Sequence, residues 1–387
     1  MTMQSSPSTT AENVKELQPY ITVLTDHEKE KVKQIIQQFP SLNILDVDDE
    51  ILTEVQLASL DLPSRVVDSL IRFRRNPNPY GTLLFRNLPT DPELPPTPKD
   101  GRFSQEKHSF VSEYSLLLFM MFLGEPIAYE DEKEGLLIQN ICPVKGQEKK
   151  QENTRSNYLN FHTEDGFHPY PPDHLALLGL RSDHEKIAET ITASVRNVVD
   201  TLPGTAVMLL RQPLYRLHPS SSFKLNQHED YSVRLPVLTG NLSNPQMCIH
   251  YSSMVAENEE AEWALNLLRK ALLKVSVAFK LLPGDLLIMD NRLVAHARTP
   301  FRPRYDGKDR WLQRMFTVVD FHRSGFSRGH GKHVCSPLNV EFTKDVHFSN
   351  GDFPRSSAGE RSLVFFGNSA IRVKTINGWN CCGECSL

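Results

Sequence analysis

No stretch of this 387-residue chain is apolar for long enough to cross a bilayer. The longest run, Leu116–Leu123, reads LLLFMMFL, far short of the roughly 20 residues that a spanning helix needs. An excess of one charge is also missing. Lys and Arg number 43 against 47 Asp and Glu, for a net charge of −4 and a pI of about 6.4. That balance argues against nucleic acid or an anionic membrane as the main partner. The N-terminal MTMQSSPSTTAENVKEL lacks the apolar core of a secretory signal, so a cytoplasmic protein is expected. Cysteine is sparse and badly placed for a zinc site. Cys142, Cys248 and Cys335 are isolated and read as small buried or half-buried side chains. Cys381, Cys382 and Cys385 crowd the tail NGWNCCGECSL, but no second C-x-x-C exists to complete a metal site. Cys385 also sits one place too late for prenylation. No internal repeat is present.

What remains is an ordinary mix of 39% hydrophobic and 23% charged residues, enough for a sizeable core. Residues 1–20 read as a disordered N-terminus. A single domain spans 21–325, helical over about 21–75, and 326–387 reads as an irregular extension rich in Ser, Gly, Asn and His. TDHEKEKVKQIIQQF opens with a capping box, Thr25 with Glu28, followed by apolar residues at helical spacing. A second helix follows Pro63, with Val66, Val67, Leu70 and Ile71 on one face. YGTLLFRNLP reads as a first strand and SFVSEYSLLLFMMFLGEP as a buried helix stopped by Gly124 and Pro126.

From Gly135 short strands dominate: GLLIQNICPV, YLNFHTE, HLALLGLR, ETITASV, YSVRLPVLTG and QMCIHYSSM. The amphipathic helix ENEEAEWALNLLRKALLKV interrupts them. VAFKLL, DLLIMDN, LVAHART and RWLQRMFTVVDF then follow, with LPGD, Leu282–Asp285, as a tight turn. Lys145–Arg155, KGQEKKQENTR, is a charged loop, read as a solvated face or an active-site lid. Many short strands with a few helices to one side predict an α+β fold: an antiparallel jelly roll (double-stranded β-helix) flanked by helices.

The stretch NFHTEDGFHPYPPDH, Asn160–His174, concentrates polar residues that could hold a metal. On a strand, residues i and i+2 share a face, so His162 and Glu164 would project together and Thr163 away. Iron(II) in oxygenases takes two histidines and one carboxylate on one face, leaving three positions open. A second histidine must therefore come from elsewhere, and His168, His174, His184, His218, His228, His250 and His296 are all available. His296 lies in MDNRLVAHARTPFRPRYDGKDRWLQR between the small Ala295 and Ala297, on a strand after the LPGD turn. A jelly roll lays early and late strands side by side. An isolated H-x-E is weak by itself and reads equally as a surface pair. Arg310 and Arg314, four apart on one strand, shift that balance. Two inward guanidiniums without anions would carry a large desolvation cost, so they are either exposed or bind anionic ligands. A guanidinium fork suits a carboxylate such as the far end of 2-oxoglutarate or the carboxylate of an amino acid.

FHTEDGFHPYPPDHLALLGLR, PGDLLIMDNRLVAHARTPFRPRYDGKDRWLQR and the spacing between them resemble the clavaminate synthase-like iron(II)/2-oxoglutarate dioxygenases, closest to the free L-amino-acid hydroxylases acting on arginine, asparagine or lysine. The resemblance covers roughly Gly81 to Phe321. It implies His162, Glu164 and His296 as iron ligands, Arg310 with Thr190 on the far carboxylate of 2-oxoglutarate, and Arg314 on the substrate α-carboxylate. It places Gln139 at the α-amino group, and Asp165 and His168 as loop supports rather than ligands. Arginine-type members carry acids on a lid and on the strand before the large helix. Here those stretches read LHPSSSF and MCIHYSSM, putting Ser220, His250 and Ser252 near the substrate side chain, with Glu229 and Asp230 as alternative acids.

The implied cofactors are Fe(II), the cosubstrate 2-oxoglutarate and O2, and the implied partner is a small amino acid, with no nucleic acid and no membrane. The implied reaction hydroxylates an unactivated C–H bond and releases succinate and CO2. The same chemistry on a carrier- or peptide-bound amino acid, or with desaturation or cyclisation as outcome, stays open. So do a zinc hydrolase using the same three ligands and a non-catalytic binding protein.

Overall fold

The computed structural model describes residues 17–147 apart from 44 and 46, 156–329 apart from 221 and 224–230, 332–338, and the strand backbones of 364–366 and 369–371. Two compact units divide the chain, Met1–Val346 and His347–Leu387. In the second, Val364–Phe366 pairs antiparallel with Ser369–Ile371. Glu229, Asp230, most of the charged loop and the three tail cysteines lie outside the described residues.

Within the stretch 1–20, Leu17 is buried and Gln18–Tyr20 form one 3-10 turn. Helix α1 spans Asp26–Ile36. Its capping box is present, with Glu28 N donating to Thr25 Oγ1 at 3.3 Å and Thr25 N to Glu28 Oε2 at 2.8 Å. Thr25→Ala is expected to cost about 1 kcal/mol, seen as a lower urea midpoint with an unchanged slope. An unchanged midpoint would mean that the box contributes nothing. Helix α2, Asp49–Ser59, has no counterpart in the sequence reading, although Asp48 caps it through Ile51 N at 2.8 Å. Helix α3 is Ser64–Arg75, and α4, Val111–Met120, is buried along Ser112–Met120. The short α5, Gly204–Leu210, is likewise unanticipated, while α6, Glu259–Val275, is the amphipathic helix expected.

Two sheets form the jelly roll. The larger runs β1 (Ile21–Val23), β2 (Thr82–Arg86), β9 (Leu286–Asp290), β6 (His174–Arg181), β11 (Trp311–Val318), β3 (Glu125–Pro126), with β4 (Ile138–Ile141) also on β11. The smaller runs β8 (Val277–Phe279), β7 (Thr190–Ser194), β10 (Val294–Arg298), β5 (Leu159–His162). Strands covered on both sides read as near-continuous apolar runs, and HLALLGLR and LLIMD do so. On β6, Leu175 and Leu177 face the smaller sheet, whereas Ala176, Leu178 and Leu180 pack with α4 and the N-terminal helices. On β11, Leu312 and Phe316 take the inner core, and Trp311 and Met315 the outer one. Arg314, two residues from each inner residue, therefore points into the roll. The LPGD turn is present: Asp285 N donates to Leu282 O at 2.9 Å, and Gly284 sits at φ +82°, a backbone region open to glycine.

Three strand expectations need correction. YLNFHTE stops at His162, so Thr163 and Glu164 lie beyond the ladder. QMCIHYSSM is not one strand: Asn244–Met247 and Met254–Ala256 are separate, and His250 between them makes only a bridge to His162. YSVRLPVLTG likewise divides at Pro236 into Val233–Leu235 and Leu238–Asn241.

Candidate metal centre

His162 ends β5 and His296 lies mid-β10. The antiparallel register sets the two directly opposite each other, with ring centroids 4.1 Å apart. Glu164 reaches the same point from the turn after β5, its Oε1 3.4 Å from His296 Nε2 and 4.0 Å from His162 Nε2. All three side chains are buried, and their donor atoms lie within 4.8 Å of one another. His162 Nδ1 lies 2.9 Å from the carbonyl of Asn160. A carbonyl only accepts, so Nδ1 carries the proton and Nε2 keeps its lone pair for a metal. Two imidazoles and one carboxylate on one side suit a first-row metal that keeps open positions. Burial, with His296 next, pushes the His162 pKa well down, which keeps the ring neutral as a ligand must be.

The arginines are inside. Arg314 is 1% exposed; its Nη2 donates to Glu132 Oε1 at 2.7 Å, its Nη1 to Glu164 Oε1 at 3.1 Å and its Nε to Gln139 Oε1 at 3.0 Å. Burial opposes ionisation of Glu164, but Arg314 and then His296 outweigh it and hold the carboxyl well below its usual range. Asp165 is pushed well up instead, by burial and then by Glu132 and Glu164. Arg310 precedes β11 rather than lying on it, and a bulge follows Trp311. It still lines one cavity with Leu312, Arg314, Thr190, His296 and Glu164. Its Nη2 donates to Thr190 Oγ1 at 3.4 Å, and no carboxylate among the described residues pairs with it. Burial pushes its pKa down to about 10. Asp183 and the Phe301 ring, 5.9 Å from the guanidinium carbon, offset burial only in part, which leaves a cation suited to an anionic ligand.

A second cavity, lined by Glu132, His162, Asp165, Ser220, Ser222 and His250 among others, meets the first at Glu164. The Glu164 carboxylate thus lines both the arginine-rich pocket and a pocket that holds Glu132, Asp165, hydroxyls and imidazoles. His168 lies outside the ligand set, its Nδ1 accepting from Tyr170 N at 3.1 Å and its ring 4.4 Å from Tyr129. Ser252 does not reach either cavity. It is exposed on the turn after His250 and accepts from Asn160 Nδ2 at 2.8 Å. Glu132 is not among the expected site residues: nothing local in YEDEKEG sets it apart from the acids beside it, and only its pairing with Arg314 reveals it. A second group, His184 with Asp306 and Asp309, is partly exposed. There Asp306 accepts from Lys308 N and Asp309 from Arg304 N, at 2.9 and 2.7 Å, which braces the loop before Arg310.

A jelly roll carrying two histidines and a carboxylate beside an arginine-lined pocket has the donor set of an open, single-metal oxygenase centre. Residues 59–316 match the model of the taurine catabolism dioxygenase TauD, TfdA family, and the chain belongs to that family. It is 40% identical over 263 residues to an L-asparagine oxygenase of Streptomyces coelicolor, covering 68% of this chain and 78% of that protein. Identity to clavaminate synthase 2 of Streptomyces clavuligerus is 31%, covering 70% of this chain and 83% of that one. The solved structure of an asparagine oxygenase in complex with Fe(II), 2S,3S-3-hydroxyasparagine and succinate superposes with a TM-score of 0.78 at 36% identity, covering 82% of this chain and 100% of that chain. Among the described residues no helix is long and apolar enough to cross a membrane.

Proposed function

We propose that this protein is an iron(II)- and 2-oxoglutarate-dependent oxygenase that hydroxylates a C–H bond of a polar free L-α-amino acid. The observation that carries the reading is the buried His162–Glu164–His296 triad beside Arg310, a buried guanidinium with no carboxylate partner among the described residues. His162, Glu164 and His296 hold the iron, which when bound supplies oxygen activation coupled to decarboxylation of 2-oxoglutarate to succinate and CO2. Arg310 and Thr190 take the far carboxylate of 2-oxoglutarate. Arg314 takes the substrate α-carboxylate, pre-aimed by Gln139 and Glu132 so that little orientation is lost on binding. Gln139 and Glu132 bound the space where the α-amino group sits.

The substrate side chain extends toward Ser220, Ser222 and His250. A buried cationic side chain needs a carboxylate of its own. Glu132 is already engaged with Arg314 and with Ser222 Oγ at 3.2 Å, and Glu164 belongs to the triad. Asp165, the remaining acid of that cavity, is pushed toward its neutral form by burial and then by Glu132 and Glu164. A neutral, amide-like side chain of the asparagine kind is therefore favoured over lysine or arginine. Leu159, Leu177 and Leu312 line the inner pocket and keep water away from the reacting carbon.

Aerobic incubation with iron(II), 2-oxoglutarate and single L-amino acids, followed by mass spectrometry, tests this. The expected result is one product heavier by one oxygen, matched mole for mole by succinate. Succinate without an oxidised product would remove the free amino acid from the reading. No succinate from iron-loaded protein with any free amino acid would overturn the free-substrate reading and leave a carrier- or peptide-bound amino acid or a non-catalytic binding protein.

A further inference from the structure

Glu164 has lost the support that a strand gives its neighbours. The β5 ladder ends at His162, and Asp165 turns the chain at φ +50°, so no sheet partner fixes the Glu164 peptide. Thr163, between the two ligands, is pinned on the far side, its N donating to Ile249 O at 2.8 Å and its Oγ1 accepting from Ile249 N at 3.1 Å. The Glu164 main chain is held by one side chain. Asn291 Oδ1 accepts from Glu164 N at 2.8 Å, and Asn291 Nδ2 donates to Glu164 O at 3.0 Å and to Pro172 O at 2.8 Å. Asn291 N donates in turn to Asp173 O at 2.8 Å, and the residue is 4% exposed.

We infer that Asn291 is the positioning residue that aims the Glu164 carboxylate at the metal, taking over the role of the missing strand partner. Resting on the metal-centre reading above, the inference follows from three features. Bonding both the N–H and the C=O of one residue restrains rotation on either side of its Cα, and so fixes the direction in which its side chain leaves. A primary amide alone among the neutral side chains of this size offers an acceptor and two donors at one branch point, and three of these are used. Finally, Asn291 occupies the turn between β9 and β10, only a few residues before His296. One rigid turn therefore carries the third ligand and also grips the second, so their separation of 3.4 Å does not depend on the loop around Asp165. Partners that orient metal ligands typically contribute about 10- to 100-fold to metal affinity.

The test uses the full-length protein. Iron(II) is titrated anaerobically into wild type, Asn291→Ala and Asn291→Asp, and cobalt(II) absorption spectra report the ligand field. Both variants are expected to bind iron(II) roughly 10- to 100-fold more weakly, with an altered cobalt spectrum and metal-free circular dichroism like that of wild type. Affinity within twofold of wild type in either folded variant overturns the inference. Should neither variant fold, hydrogen exchange on the wild type decides: the Glu164 amide must exchange as slowly as those of β5, and fast exchange overturns it. Wild-type protein that binds no iron(II) would sink the oxygenase reading itself, a result separate from the behaviour of Asn291.

Discussion

Replacing His296 by alanine is expected to abolish succinate formation while leaving the protein folded. The side chain is buried in mid-strand between Ala295 and Ala297, and its backbone bonds to β5 and β7 survive the substitution. Only the imidazole is lost. With it goes one of three donors, leaving Glu164 and His162 as a two-point site. The fall in iron(II) affinity should exceed the roughly 10- to 100-fold that loss of an outer partner costs, and turnover should drop below detection. The loss in folding stability should stay near the 0.5–3 kcal/mol (roughly) typical of single substitutions. Metal titration, a succinate assay and a thermal melt on the same sample separate these effects. Metal-dependent succinate formation that survives in His296→Ala would remove this histidine from the centre.

Substituting Arg310 by methionine is expected to raise the KM for 2-oxoglutarate sharply and to raise the melting temperature. The two effects share one cause. Folding buries this guanidinium with Thr190 as its side-chain hydrogen-bond partner and pushes its pKa down to about 10. A cation whose pKa falls on folding destabilises the native state, and does so in full at any pH below about 10, because the unfolded chain holds its proton more tightly. Removing the charge relieves that cost, whereas the ligand loses its anchor. Truncating one partner of a buried charge pair costs about 3–5 kcal/mol, equivalent to a KM increase of roughly 100-fold or more. The KM for the amino acid should move little, because Arg314 is untouched. A melting temperature higher by about 2 °C or more in ligand-free Arg310→Met, together with that KM split, marks a residue kept for binding at the expense of stability. An unchanged KM for 2-oxoglutarate, or a lower melting temperature, contradicts this role.

Much of this protein was readable from its residues. Periodicity of 3.6 marked α1, α3 and α6, and the Thr25–Glu28 box located the start of α1. Apolar runs marked β6, β9 and β11. The three proposed metal ligands and both arginines stood out because their chemistry is uncommon in ordinary surface strands, and because each motif was short and local. Helix α2 was missed although its signal, Asp48 followed by an acidic first turn, is plain in the chain. Its amphipathic stripe is weaker than those of α1 and α3, so helical periodicity sets it apart less clearly.

Glu132 and the divided strand around His250 are a different matter. No local pattern separates an acid that will neutralise a buried arginine from one in a solvated loop. The difference lies in Arg314, remote in the chain and only 2.7 Å away in space. Glu164 shows the same division. Residue type and the H-x-E spacing made it a candidate ligand, but the spacing argument assumed a strand that ends two residues too early. What aims its carboxylate is Asn291, brought there by the β9–β10 turn. Local order thus wrote the elements and the donor chemistry into the sequence, because helices, strands and ligand types depend on near neighbours. The direction in which each donor points was settled by packing, since buried polar groups must find partners wherever the fold supplies them.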